Sequence, residues 1–242
     1  GIKQNDWDYL LNHRDKPLTN KSIAGLYPPG STIKTIVALS ALENDIWNPK
    51  KVINCTGKTE LYGEKYHCWK KKGHGYVTMR TAIKRSCDVY FYEVVRQLGV
   101  DRLSVTAKKF GLGKKVLEDF LEERSGVVPN TKWKKKYIGQ NWYLGETLHS
   151  GIGQGYYLTT PLQLCLMTAQ IANGGYKIKP KIILDPNNRG NSLKEYIKYK
   201  NENPNDPLPL DILASNFGLT PLFRNQENIN FVKEAMYAST NE

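Results

Sequence analysis

Pro28-Pro29-Gly30-Ser31-Thr32-Ile33-Lys34 opens the apolar run Thr35-Ile36-Val37-Ala38-Leu39-Ser40-Ala41-Leu42-Glu43-Asn44. The run contains no glycine or proline and reads as a buried helix. The Pro-Pro-Gly turn ends the preceding loop and sets the helix start. Ser31 and Lys34 then lie one turn apart on one face. A serine hydroxyl is a poor nucleophile until a base takes its proton. A lysine amine can be that base where burial or a neighbouring cation lowers its pKa. The plainer alternative is a lysine snorkelling from a helix end. At the mouth of an almost wholly apolar helix, however, an ammonium without partners is costly.

The surrounding chain has 242 residues, 40% of them hydrophobic, which suits one large domain or two lobes of one. No apolar stretch reaches the roughly eighteen residues of a membrane span. The start, Gly1-Ile2-Lys3-Gln4, has neither an initiator methionine nor an apolar leader and reads as a fragment boundary. Lys plus Arg number 35 against 23 Asp plus Glu, for a net charge of +12. Such charge fits an anionic membrane or wall polymer as well as nucleic acid. No nucleic-acid module is present, and no nucleic-acid partner is expected. The one tight basic run, Lys132, Lys134, Lys135 and Lys136 around Trp133, reads as a solvated loop.

Residues 1–27 are polar, with Tyr9, Leu10 and Leu11 as their apolar anchor. Residues 45–77, rich in Gly, Lys and Tyr, predict a hairpin-containing excursion. A single long helix is predicted from Thr78 to Leu98, ended by Gly99, then a short helix N-capped by Asp101. A Lys- and Gly-rich loop reaches Leu148. Thr160-Pro161 caps and opens a helix to Asn173, closed by Gly174-Gly175. Tyr176 to Leu184 alternates like a strand. Residues 185–227 read as a surface excursion, and Asn228 to Thr240 as a helix. Gly151, Gly153 and Gly155 follow no βαβ unit, and Thr56-Gly57-Lys58-Thr59 lacks the first glycine of a P-loop, so nucleotide binding is not expected.

Arg85-Ser86-Cys87-Asp88 adds a second hydroxyl and a carboxylate that could complete a proton relay with Lys34. With Ser31-x-x-Lys34 before it and Gly151-Ile152-Gly153-Gln154-Gly155 after it, the chain resembles the transpeptidase domain of class B penicillin-binding proteins. The elongation-specific branch, penicillin-binding protein 2, is the nearest pattern. Glu122-Glu123-Arg124-Ser125-Gly126 and Thr160-Pro161 also carry the resemblance, which is weakest over 185–227. Asp88 departs from the usual Ser-x-Asn second motif, which puts a neutral amide's role there in doubt.

The resemblance implies an α+β fold of the penicillin-binding protein/serine β-lactamase type, a helical subdomain packed on an antiparallel sheet whose C-terminal strands are missing. The family's third motif, Lys-Ser/Thr-Gly, is not found. Lys58-Thr59 runs into Glu60, and Pro129 interrupts any strand after Arg124-Ser125-Gly126. Residues 1–242 are therefore expected to be a partial transpeptidase domain without that strand, the membrane anchor or the pedestal domain. The implied chemistry is acyl transfer. Ser31 attacks the D-Ala-D-Ala carbonyl of a peptidoglycan stem peptide, Lys34 is its base, Ser86 passes a proton to the leaving amine, and Asp88 orders Lys34. Gly151, Gly153, Gln154 and Gly155 would line the substrate. β-Lactams would trap Ser31. Half of the oxyanion hole would come from the missing strand, so this piece alone is expected to be impaired. No cofactor is implied for catalysis. Membrane proteins of the elongation complex would be partners, on the periplasmic face of the bacterial inner membrane. Alternatives are a class D-like β-lactamase or β-lactam sensor, or a non-catalytic scaffold of the complex.

The four cysteines are Cys55, Cys68, Cys87 and Cys165. Three thiolates and an imidazole suit a closed tetrahedral zinc site, so Cys55, Cys68, His74 and Cys87 are candidate ligands that would staple the 45–77 excursion. Cys87, placed mid-helix, should point away from the catalytic face. His67 is the rival imidazole. A Cys55–Cys68 disulfide and free thiols are the alternatives.

Overall fold

The structure, a computed structural model, describes residues 1–117, 120–181 and 192–242. It begins with α1 (Gln4–Asn12) and α2 (Lys21–Ala24); a 3-10 turn at Gly30–Ile33 then runs straight into α3 (Lys34–Glu43). Four short strands follow: β1 (Ile53–Cys55), β2 (Lys58–Leu61), β3 (Glu64–His67) and β4 (Gly75–Val77). The middle is helical, with α4 (Met79–Lys84), α5 (Asp88–Leu98), α6 (Val100–Lys109), α7 (Thr131–Tyr137), α8 (Leu144–Gly151) and α9 (Pro161–Ala172). The last elements are α10 (Ser192–Glu202), α11 (Leu210–Asn216) and α12 (Gln226–Asn241).

α3 is the axis of the core. Ile36, Val37, Ala38, Leu39 and Ala41 are all fully buried, as they must be in a helix covered by α5, α6 and α12. Each large aliphatic side chain buried this way is worth about 1.5–3 kcal/mol. Polar groups packed around α3 are paired: Thr106 Oγ1 donates to Ser40 Oγ at 2.8 Å, and Trp47 Nε1 donates to the Tyr90 hydroxyl at 2.8 Å. The 45–77 excursion is two antiparallel ribbons. β1 pairs with β4 (Ile53 opposite Val77, Cys55 opposite Gly75), and β2 pairs with β3 (Lys58 opposite His67, Leu61 opposite Glu64). Gly73 lets the connecting segment close on β1. Its φ is +76°, and a Cβ there would sit 2.0 Å from the Cys55 carbonyl oxygen.

The predicted excursion, the capped α9 and the closing helix α12 are all present. Thr160 and Gln163 form a capping box, with Pro161 at the first helical position. Other expectations are corrected. The single helix over 78–98 is two helices, because Ser86 adopts φ +51° and breaks it; Cys87 is therefore the N-cap of α5, not mid-helix. Gly99, not Asp101, precedes α6, and Asp101 instead accepts from the Thr131 amide at 3.0 Å. The expected loop up to Leu148 contains α7 and α8, and Lys134, placed there in solvent, is 1% exposed. α1 buries nothing, and Tyr9 and Leu11 are 65% and 58% exposed, so they anchor nothing. Over Tyr176–Lys181 the described backbone forms one bridge, Tyr176 to Pro221, and Ile182 to Leu184 lie outside the described residues. From residue 192 the supposed surface excursion is helical, with Tyr196, Leu213, Ala214, Leu222 and Phe223 buried. Among the described residues, sheet is confined to the two ribbons.

Candidate active site

The 3-10 turn presents Ser31 at the surface while Lys34, three residues on, starts α3 and is 2% exposed. The buried ammonium has three acceptors for its three N–H groups. Nζ lies 2.6 Å from Asp88 Oδ1, 2.9 Å from the Ser86 carbonyl oxygen and 3.0 Å from Ser86 Oγ. Ser86 Oγ in turn donates to Ser31 Oγ at 2.8 Å. The four residues named from sequence thus meet, but in a different order. Lys34 makes no direct hydrogen bond to Ser31 among the described residues; Ser86 stands between them.

The break at Ser86 makes this possible. A left-handed conformation costs a non-glycine residue about 1–2 kcal/mol. It turns both the Ser86 hydroxyl and its carbonyl toward Lys34. The carbonyl also accepts from the indole Nε1 of Trp69 at 2.9 Å. The backbone N–H of Trp69 donates to Asp88 Oδ2 at 2.8 Å. Asp88 therefore takes one donor on each oxygen. An asparagine has only one acceptor oxygen and could not serve both, which gives a physical reason for aspartate at this place in the second motif. Trp69 was missed from sequence: it sits in a Lys-rich turn, and its partners are 16 to 19 residues away.

The glycine segment docks as bare backbone against the turn that carries Ser31. The Gly30 amide donates to the Gly153 carbonyl at 3.0 Å, Gly153 has φ +72°, and a Cβ on it would fall 2.2 Å from the Gly30 oxygen. Gly151 lies further back, where a Cβ would meet Val95 of α5 at 2.5 Å. Gln154 and Gly155 are exposed. Arg124-Ser125-Gly126 leads into a bridge from Val127 to Leu158 rather than a strand. The carboxylate of buried Glu123 is occupied by the Val116 and Leu117 amides.

A second cluster adjoins the first. The ligand atoms of Cys55, Cys68, His74 and Cys87 all lie within 4.8 Å of one another, and all four residues are buried. His74 Nδ1 is 3.5 Å from Cys68 Sγ and 3.7 Å from Cys55 Sγ. His67, the rival imidazole, is exposed on β3 and outside the cluster, and all four cysteines are free thiols. Burial pushes the Cys68 and Cys87 thiols up and the His74 imidazole down, the latter aided by nearby Lys70 and Arg85. Cys87 is the middle residue of the Ser86-Cys87-Asp88 motif, and Cys68 precedes Trp69.

A serine in a 3-10 turn linked through a second serine to a buried lysine, on a helix-rich frame with small antiparallel ribbons, is the arrangement expected of the Ser-x-x-Lys class of folds. The model described as penicillin binding protein transpeptidase domain matches residues 3–209, and the chain belongs to that family. It is 40% identical over 185 residues to the peptidoglycan D,D-transpeptidase MrdA of Acinetobacter baumannii, covering 76% of this chain and 28% of that relative. It is 38% identical over 186 residues to the MrdA protein of Escherichia coli K12, covering 76% of this chain and 29% of that relative. Among solved structures, PBP2 of Helicobacter pylori in complex with MreC superposes with a TM-score of 0.81 at 32% identity, covering 100% of this chain and 40% of that one. The chain thus spans less than a third of the length of these curated relatives. No described helix is long and apolar enough to cross a membrane.

Proposed function

We propose that this chain is the nucleophile-bearing part of a peptidoglycan D,D-transpeptidase that works through an acyl-enzyme on Ser31. The observation that carries the reading is the continuous contact chain Ser31 Oγ–Ser86 Oγ–Lys34 Nζ–Asp88, with links of 2.8, 3.0 and 2.6 Å. The relatives' names supply the substrate class. Lys34 with three donated hydrogens is the protonated state. In the neutral amine, the lone pair takes the place of the N–H aimed at Ser86 Oγ; the Ser86 hydroxyl turns to donate to Nζ, and Ser31 donates to Ser86. As Ser31 Oγ attacks the carbonyl between two D-alanines, its proton passes to Ser86 Oγ while the Ser86 proton passes to Nζ. When the C–N bond breaks, Nζ returns a proton to Ser86 Oγ while Ser86 passes its own proton to the departing D-alanine amine. The acyl group then goes to an amine of a neighbouring strand. Asp88 holds the resulting ammonium, and Gly153 allows the 151–155 segment to flank the acylation site.

We also propose that residues 1–242 are a partial transpeptidase domain, which the small share of its relatives that the chain spans supports, and that the whole protein works on the periplasmic face of the inner membrane. β-Lactams would acylate it, and elongation-complex membrane proteins would bind it. A complex of PBP2 with MreC is known for the Helicobacter pylori relative. The test is fluorescent penicillin labelling of protein carrying the complete transpeptidase domain. A stoichiometric adduct at Ser31, absent in Ser31→Ala and stable for hours, is expected. An adduct lost within minutes would point to a hydrolase, and no adduct would end the reading.

The buried Cys/His cluster fits a structural zinc ion. For tetrahedral zinc, with sulfur at about 2.3 Å and nitrogen at about 2.0–2.1 Å, ligand nitrogen and sulfur stand about 3.5–3.6 Å apart; the two His74–sulfur distances are 3.5 and 3.7 Å. Nδ1 faces the sulfurs, so Nε2 would carry the proton; it is buried without a hydrogen-bond partner among the described residues. Cys55, Cys68, His74 and Cys87 would hold the ion, which would tie both ribbons to the start of α5 and supply no chemistry to acyl transfer. Elemental analysis should find one zinc per chain, lost in Cys87→Ala; none in either protein would end the idea.

A further inference from the structure

We infer that Trp69 is a positioning residue for acyl transfer: its two N–H groups fix the Ser86 carbonyl and the Asp88 carboxylate, and so hold the proton relay in register. The inference rests on the acyl-transfer reading above and deepens it.

Three observations carry it. First, both donors point at the second motif and the residue just before it. The backbone N–H reaches Asp88 Oδ2 at 2.8 Å, while the indole Nε1 reaches the Ser86 oxygen at 2.9 Å and the Arg85 oxygen at 3.2 Å. Second, Trp69 is 63% exposed. A tryptophan kept at the surface gains little from ring burial, so its nitrogen is the useful part. Third, its target is the one non-glycine break between α4 and α5. Ser86 at φ +51° relaxes toward ordinary backbone unless its carbonyl is held, and the described donors to that carbonyl are Lys34 and Trp69. If the carbonyl swings away, Ser86 Oγ swings with it, and the 2.8 Å link to Ser31 opens.

The turn carrying Trp69 is itself anchored. The Cys68 amide donates to the Gly57 carbonyl at 2.8 Å, the Tyr92 hydroxyl donates to the His67 carbonyl at 3.1 Å, and the Trp69 ring meets His74 edge-on at 5.4 Å between centroids. The clamp is thus a rigid projection of the ribbon region into the catalytic motif. Backbone donation would survive any side-chain change, so the indole N–H is the part that can be tested alone.

The experiment is pre-steady-state acylation by a chromogenic penicillin, separating the binding constant from the acylation rate constant, in protein carrying the complete transpeptidase domain. Trp69→Phe keeps an aromatic ring and removes the donor. Replacing Trp69 with β-(3-benzothienyl)alanine keeps the shape, with sulfur in place of N–H, and guards against a folding defect in the phenylalanine variant. Both should slow acylation by about three- to tenfold, the scale of one net hydrogen bond. Binding constant and burst amplitude should stay at the unaltered values. A merely structural role would lower the amplitude and leave the rate constant of the surviving molecules unchanged. That result, or an unaltered rate in either variant, overturns the assignment. No Ser31 adduct even in the unaltered protein would instead overturn the acyl-transfer reading beneath it.

Discussion

Two buried lysines in this molecule share one plan for their ion pair and differ in the Ser86 carbonyl and hydroxyl, which only Lys34 touches. Lys34 is 2% exposed and Lys134 is 1% exposed. Each pairs with one oxygen of a carboxylate, Asp88 or Glu146. In each case the other oxygen accepts a backbone N–H at 2.8 Å, from Trp69 or Tyr143. Each ammonium also lies near aromatic faces: Phe91 at 5.8 Å for Lys34, and Tyr143 at 4.7 Å and Tyr156 at 5.8 Å for Lys134. Only Lys34 touches a hydroxyl, Ser86 Oγ, that touches another. Burial and ion pairing therefore do not mark a catalytic lysine. They are the cost and compensation of placing a charge inside. A chain of exchangeable protons leading out to an exposed nucleophile is what distinguishes the site.

The strongest way to break this comparison is to remove each amine. Lys34→Met should slow acylation of Ser31 by about 10²–10⁴, the range for losing a general base. Lys134→Met should leave the acylation rate constant unchanged and lower stability by about 3 kcal/mol. That is the low end for a broken buried pair, because Glu146 remains 22% exposed. Labelling time courses and denaturant unfolding of both variants check the pair. A Lys134→Met protein that folds normally yet acylates a hundredfold slower would dissolve the distinction.

The distinction narrows to one atom in Ser86→Ala. This variant leaves Lys34 with its carboxylate and carbonyl acceptors but no hydroxyl path to Ser31, so that, like Lys134, it touches no hydroxyl. Acylation should fall by about 10²–10³, nearly as far as in Lys34→Met, with the double variant little worse, since residues acting as one relay are not additive. A tenfold or smaller effect would mean that Lys34 reaches Ser31 directly.

How far the sequence revealed this plan differs between the two sites. Ser31, Lys34, Ser86 and Asp88 lie in short local spacings, and α3 and α9 have unbroken apolar runs or a complete cap, so pattern alone placed them. The link Lys34–Ser86–Ser31 was not legible, because it depends on a left-handed serine that interrupts what otherwise looks like one helix over 78–98. Lys134 was misread because Lys132-Trp133-Lys134-Lys135-Lys136 has no apolar period; its burial comes from Glu146, Tyr143 and Tyr156 arriving from α8 and beyond. The helices after residue 192 were hidden by a polar composition, although Tyr196 and Phe223 seal them onto Tyr176.

A smaller effect should appear when the carboxylates become amides. Asp88→Asn and Glu146→Gln each retain an acceptor for the lysine but leave one backbone N–H facing an amide NH₂. Asp88→Asn should lose about 1–3 kcal/mol of stability, the cost of one unsatisfied donor away from water, and Glu146→Gln less, because the Tyr143 amide lies at an exposed position. Only Asp88→Asn should also slow acylation. Equal acylation rates in both variants would show that the Trp69–Asp88 contact is structural.

Tyr157 offers the mildest test, because it is the opposite of both lysines: a fully buried polar group with no partner. It is 1% exposed, and its hydroxyl has no hydrogen bond among the described residues. Removing an unsatisfied hydroxyl forfeits no bond, so Tyr157→Phe should change stability by less than about 1 kcal/mol at pH 8, in either direction. The difference should grow with pH. Burial pushes the Tyr157 phenol above its ordinary value of 10.0, because tyrosinate is disfavoured inside. The unfolded chain then releases this proton first as pH rises past 10, so the contribution is intact below pH 10 and is lost as pH climbs toward the raised folded value. Tyr90, pushed up to about 12, adds its own loss over the same window and is untouched by the substitution. At pH 11, Tyr157→Phe should therefore be about 1.4 kcal/mol more stable, relative to the unaltered protein, than it is at pH 8. Denaturant unfolding at the two pH values decides it. An identical difference at both would mean that the folded protein ionises this phenol as readily as the unfolded chain does, and that the contrast with the ion-paired lysines does not hold.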